Sequence, residues 1–330
     1  MLGTYVLAVH VERLGNGPII GPDADPSIRT NIQGPSLVRV PDWVHDSLGR
    51  NYLYFADHKG SYIRLAYCDE LPGPWTVHRP GSLQLAQSCF LTDPPPATAD
   101  ELELVRQAYL EALGSTELAH SLTYEATTPH IASPDVHVDH EHRRFVMYFH
   151  GLEALGWQVS RAAVSDDGVD FVARPEVLGM SYLRAFRHRG MTYAIVMPGQ
   201  VLRSADGLSA FEPGPNLFGP DMRHCAVAVR GDDLHVFWTR VGDTPERILC
   251  SVVDMSGDWM DWHEGPETEV LRPEHPWEGA DAPLEPSFRS VAPGHVNQLR
   301  DPAIFEEDGQ TYLLYSVAGE SGIAIAELFF

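Results

Sequence analysis

Lysine is almost missing from this 330-residue chain: Lys59 is its only one, and every other strong cation is an arginine. Basic residues are scarce altogether, with 23 Lys and Arg against 46 Asp and Glu and a formal net charge of −23. A surface this acidic repels phosphate backbones and anionic headgroups, which argues against nucleic acid and membrane surfaces as partners. The arginine skew reads as genome composition. The four cysteines (Cys68, Cys89, Cys225 and Cys250) show no CxxC spacing, and three lie in apolar strand-like runs. Buried reduced thiols are expected, and no structural zinc site. Long apolar runs are also missing. Tyr5–Val9 is short and is followed at once by His10 and Glu12, so neither a leader nor a membrane span is expected, and a cytoplasmic location is.

What the chain does have is a repeat. Hydrophobic residues make up 44% and charged ones 21%, enough for a well-filled core. Five segments share one plan: a short apolar strand, a tight turn, an aromatic-rich strand, and a third strand ending in an Asp/Gly turn. They begin with GPSLVRV, SPDVHVD, SYLRAFR, MRHCAVAV and RDPAIFEEDGQ. Units of this length are propeller blades. The expected fold is all-β, one five-bladed β-propeller domain over 1–330, with blades near 34–85, 131–178, 181–218, 222–272 and 298–330. The third unit is weak, but its SADG turn matches the SDDG of the second.

The last unit has only three strands. Its fourth is expected from Thr4–Glu12, closing the ring, unless that segment merely packs on one face. Residues 97–120 break the repeat with helical spacing of Leu102, Val105, Tyr109 and Leu113. Asp100 is the expected N-cap, Glu103 its capping-box partner and Gly114 the stop. This helical insertion between blades 1 and 2 either shields one rim of the site or braces it.

In a propeller, one end of the central channel gathers the starts of first strands and the ends of second strands. First-strand starts supply Ser36, Asp135, Arg184, Arg223, His224, Arg300 and Asp301; second-strand ends supply Asp57, His58, His150, Arg240 and Glu320. Apolar residues would suffice to fill a channel, and charges are costly to bury unless paired or used. Structural alternatives stand beside them: Asp301 as a local cap, His224 as a satisfied core histidine, Arg240 and Glu320 as mutual partners. His137, His140 and His142 read as a solvated turn rather than a metal run.

The fifth unit, RDPAIFEEDGQTYLLYSVAG, resembles the strand pattern of the glycoside hydrolase family 43 superfamily and its five-bladed relatives, as do the first unit and the SDDGVDF and SADGLSAF turns. The resemblance spans about residues 34–330 without the insertion. It implies carboxylates on successive inner strands: a base, a pKa-tuning Asp and a Glu acid. Asp135 matches the second. The first blade has Gly34-Pro35 where an Asp would precede Pro, and Ser181-Tyr182-Leu183-Arg184 offers no Glu. Family 117 relatives imply a histidine acid, a role that His224 would fill.

Three functions follow as expectations. The first is a glycosidase on a small carbohydrate, with Asp135 or Asp301 activating water, His224 protonating the leaving oxygen, and Asp57, His58, His150, Arg184, Arg223, Arg240, Arg300 and Glu320 binding substrate. The second is a metal-dependent lyase or hydrolase holding a divalent ion in the channel through His58, His150 and His224. The third is a sugar-binding propeller without turnover.

Overall fold

Alternating β-branched and aromatic residues, punctuated by Gly-containing turns, produce five antiparallel sheets arranged as a five-bladed β-propeller. The computed structural model describes residues 9–113, 121–292 and 294–330. Blade 1 runs Gln33–Arg39, Asn51–Ala56, Tyr62–Cys68 and Thr76–Gln84. Blade 2 comprises Ile131–Asp139, Arg144–Ala154 and Trp157–Ser165, edged by Val172–Ala173 and Gly179–Met180. Blade 3 comprises Arg184–His188, Met191–Val196, Gln200–Ser204 and Glu212–Asn216, so the weak third repeat is a full blade. Blade 4 contains Met222–Arg230, Asp233–Arg240, Ile248–Asp254 and Thr268–Leu271.

Blade 5 joins the two ends of the chain. Arg300–Glu307, Gln310–Ser316 and Ile323–Phe329 are completed by His10–Arg13, which pairs antiparallel from His10 opposite Phe329 to Arg13 opposite Ala326. The closing strand thus lies at 10–13; of the expected 4–12, residues 4–8 fall outside the described residues. Arg13 fixes it further, donating from Nε to the buried Glu278 at 2.8 Å.

The core is divided among the blade interfaces. Five apolar clusters each bridge one adjacent pair, from Tyr54 with Phe145 and Phe171 between blades 1 and 2 to Phe305 with Leu37 and Phe55 between blades 5 and 1. The matching turns tie neighbouring blades by hydrogen bonds: Tyr54 donates to the Gly168 carbonyl at 2.6 Å and Tyr148 to that of Gly207 at 2.8 Å. A repeated sequence thus becomes a repeated contact.

The insertion holds two helices, α1 (Ala99–Leu113) and α2 (Leu122–Thr127). Its capping box is Thr98 with Glu101, not Asp100 with Glu103: Glu101 N–H donates to Thr98 Oγ1 at 3.3 Å and Thr98 N–H to Glu101 Oε2 at 2.8 Å. Glu103 instead pairs with Arg106 one turn on. Gly114 lies outside the described residues. Cys68, Cys225 and Cys250 are buried and Cys89 is exposed, all as free thiols. Among the described residues no helix is long and apolar enough to cross a membrane.

Candidate functional site

One backbone device recurs where the inner strands begin. In blades 1, 2, 4 and 5 the register between first and second strands shifts, between Gln33 and Ser36, Ala132 and Asp135, Met222 and Cys225, and Arg300 and Ala303. The bulged residues are Gly34-Pro35, Ser133-Pro134, Arg223-His224 and Asp301-Pro302. Gly34, Ser133 and Asp301 adopt left-handed φ of 62°, 50° and 47°, as does Tyr182 (60°) before the blade 3 strand. Bulges redirect side chains, and in blade 4 the bulge turns Arg223 and His224 into the wall of the channel mouth. They also crowd one another: a Cβ on Gly34 would lie 2.9 Å from Ser133 Cα, so a larger side chain has no room in blade 1.

At the mouth is a cavity of about 360 Å³. Its wall includes His58, Arg223, His224, Tyr182 and Arg289, with Tyr109, Leu122 and Glu125 from the insertion. The insertion therefore forms part of the cavity wall.

His224 and Asp301, from adjacent blades, form a buried pair: Nδ1 lies 2.7 Å from Oδ1. Ser316 donates to the other Asp301 oxygen at 3.0 Å; the His224–Asp301 contact is an ion-pair approach, and neither His224 nitrogen makes an aligned hydrogen bond. Burial pulls His224 below the ordinary imidazole range, and Asp301 opposes this without cancelling it. Burial alone would raise Asp301, but His224 and Arg223 outweigh it and hold the carboxyl low.

Beneath the cavity, buried carboxylates hold buried cations. Arg300 pairs with Glu320 at 2.9 Å and with Glu246 at 3.4 Å, and Glu246 also reaches Arg223 at 3.5 Å. Glu320 in turn holds His58 Nδ1 at 3.5 Å and accepts from Asn31 at 2.8 Å. These cations hold the Glu320 carboxyl far below the usual range despite burial. Across the wall, the only lysine meets the insertion: Lys59 Nζ lies 3.4 Å from Glu125 Oε2. Burial would raise Glu125, but Lys59 and the Ser290 hydroxyl that donates to it leave it low and ionised.

The other expected residues lie elsewhere. Asp135 falls one residue beyond its bulge and, like Ser36 and Arg184, lines a separate cavity of about 390 Å³ formed by later residues of the inner strands. There it pairs with His137 Nε2 at 2.8 Å, so His137 is a channel residue rather than part of a solvated turn. Arg184 is occupied by the Ser133, Pro134 and Cys225 carbonyls. Asp57 is 3.5 Å from Arg64 and outside the mouth cavity. Arg240 does not meet Glu320; it pairs with Glu267 and Asp243 and stacks on Trp238.

His58, His150 and His224 do not converge. The Tyr182 ring sits between His150 and His224, with centroids 4.4 Å from each. Among the described residues no three His, Cys, Asp or Glu are placed to hold a metal ion. His150 is buried behind Tyr182, and desolvation holds it well below the ordinary imidazole range.

Four wall or support residues escaped the sequence reading. Glu125 sits on the short second helix of the insertion and Arg289 in a loop, where no repeat marks them. Glu246 precedes a third strand, a position outside the rule used. Tyr182 occupies the blade 3 position equivalent to Asp301, a signal the aligned strand starts already carried.

Comparison with known proteins adds a relative and a fold. The chain is 36% identical over 324 residues to uncharacterized protein R118 of Acanthamoeba polyphaga mimivirus, covering 90% of this chain and 83% of that one. No family model matches. Among solved structures, a GH43_1 enzyme from Xanthomonas citri aligns with TM-score 0.56 at 13% identity, over 94% of this chain and 89% of that one. An exo-1,5-α-L-arabinanase from a bovine ruminal metagenomic library gives 0.51 at 12%, over 90% and 92%. A structure from the GH130 family, described as containing glycoside hydrolases that target β-1,2 mannosidic linkages in Candida mannan, gives 0.59 at 11%, over 99% and 95%. These identities establish a shared fold, that of the glycoside hydrolase five-bladed propellers.

Proposed function

We propose that this chain, which belongs to the same protein family as uncharacterized protein R118 of Acanthamoeba polyphaga mimivirus, hydrolyses a glycosidic bond of a small carbohydrate in its mouth cavity. The observation that carries this reading is the His224–Asp301 pair, 2.7 Å apart, with His224 in the wall of a substrate-sized cavity and Asp301 buried behind it. A carboxylate 2.7 Å from Nδ1 supplies the counter-charge for a protonated imidazole whose Nε2 has no other partner.

In this mechanism His224, protonated with Asp301 as its counter-charge, gives the Nε2 proton to the leaving oxygen. The glycosidic C–O bond breaks with its electron pair on that oxygen. A water forms the new C–O bond and passes its proton to Glu125, which Lys59 keeps ionised. Asp301, the other carboxylate proposed from the sequence, serves here as the counter-charge of His224. Arg223 and His58 contact substrate hydroxyls, while Arg300, Glu246 and Glu320 hold them in place.

Incubation with a panel of aryl glycosides and oligosaccharides, followed by NMR of released sugar, tests the reading. Turnover that disappears in His224→Gln and Glu125→Gln supports it. Binding without turnover across the panel would replace it with a sugar-binding propeller.

A further inference from the structure

Among the described residues, every basic group around the mouth cavity but one has a carboxylate beside it. Arg223 and Arg300 share Glu246, Arg300 and His58 share Glu320, His224 has Asp301, and Lys59 has Glu125. Arg289, in the same wall, has no carboxylate within ion-pair distance among the described residues. Its guanidinium donates to the Met197 thioether at 3.0 Å and the Pro220 carbonyl at 2.6 Å, while its Nε is buried without any partner. Arg223 stands close enough to repel it, and Asp221 and Glu246 act only at longer range. Burial, reinforced by Arg223, pulls the group down to about 10.

Such an arrangement is costly, and it is also rigidly built. The carbonyls on either side of Arg289 are clamped from below: Arg223 donates to Phe288 O at 2.5 Å and to Ser290 O, and Arg300 to Ser290 O at 3.0 Å. Ser290 takes a left-handed φ of 91°, a strained conformation for a residue with a side chain. Two buried, carboxylate-held arginines therefore fix the loop, and the residue between its clamped carbonyls lines the cavity. An uncompensated guanidinium presented this way is complementary to a planar or tetrahedral oxyanion.

We propose that Arg289 is the anion-recognition group of this cavity, so that the ligand is a sugar derivative bearing a carboxylate or a phosphate. As a statement about substrate class this rests on the glycosidase reading, but its test measures binding alone. Isothermal titration with D-glucuronate, D-glucose 6-phosphate, inorganic phosphate and neutral D-glucose is compared between the wild type and Arg289→Met. The wild type is expected to bind at least one charged probe about tenfold or more tightly than glucose, and Arg289→Met to erase that preference. Arg289→Lys keeps part of it. The glucuronate and phosphate arms distinguish the two sources of the anion. Because Arg289 has no ion pair to lose, unliganded Arg289→Met should melt close to the wild type despite losing its bonds to Met197 and Pro220, which separates lost recognition from lost folding. Equal affinity for charged and neutral probes, no binding of any charged probe, or an undiminished preference in Arg289→Met overturns the proposal. Failure of hydrolysis in the glycoside panel leaves this binding difference intact, and the converse also holds.

Discussion

His224 Nδ1 and Asp301 Oδ1 meet at 2.7 Å across the boundary between blades 4 and 5. The pair is buried, and burial leaves the imidazole below its ordinary range. As a proton donor His224 must be protonated, so kcat/KM should fall as pH rises through that lowered value, giving an optimum below about pH 6.5. Asp301→Asn removes the opposing charge and should move the falling limb to still lower pH, with a loss of about 10²- to 10⁴-fold near neutrality. The double variant with His224→Gln should cost little more than either alone. pH–rate profiles of the three proteins check this.

Glu246 is fully buried and is shared by Arg223 and Arg300. Glu246→Ala leaves two buried guanidinium groups short of a counter-charge and should destabilise the fold by about 3–5 kcal/mol. Glu246→Gln should lose less, since it keeps the side chain's volume and leaves an oxygen facing the two guanidinium groups. Urea denaturation midpoints report the order.

Gly34 stands where the resemblance in the sequence implies an Asp. Installing one with Gly34→Asp would press Cβ to within 2.9 Å of Ser133 Cα and force a side chain into φ 62°. The expected result is a loss of about 2–4 kcal/mol in stability and no gain in turnover, read by thermal melting and the glycoside assay.

His130 donates from Nδ1 to the Thr128 carbonyl at 2.8 Å, and burial pushes its imidazole down to about 3. In the unfolded chain it titrates near 6.5, so on acidification the unfolded state takes the proton first. Its contribution is whole above about pH 7 and declines as the pH falls toward the folded value. Between pH 7 and 5, above most carboxylate titration, stability should drop by about 1–3 kcal/mol. His130→Gln should flatten that slope, as measured by denaturation at stepped pH.

The five blades were legible because each repeat places aromatics and Asp-Gly turns at the same offsets, and those offsets become the cross-blade Tyr54–Gly168 and Tyr148–Gly207 bonds. Strand starts do face the mouth at Arg223 and His224, which sit in an inner-strand bulge, while Asp301, in the blade 5 bulge, lies buried behind His224. The same rule misplaced Asp135: in blade 2 the bulge is Ser133-Pro134, and the next side chain faces lower in the channel. Proline after serine gave no hint of that one-residue step. Glu125 and Arg289 come from an insertion and a loop, whose positions depend on tertiary clamps rather than on any period in the sequence.

Closure of the ring by His10–Arg13 ties the site to the order in which the chain is made. Until Ile323–Phe329 exists, the early strand has no partner, and until Arg300–Ser316 exists, His224 has no Asp301 and Arg223 lacks the neighbouring Arg300. The cavity is therefore complete only when blade 5 is in place, although Lys59 and Glu125 can meet once blade 1 and the insertion exist. Docking of residue 10 against residue 329 then closes the ring around the paired charges.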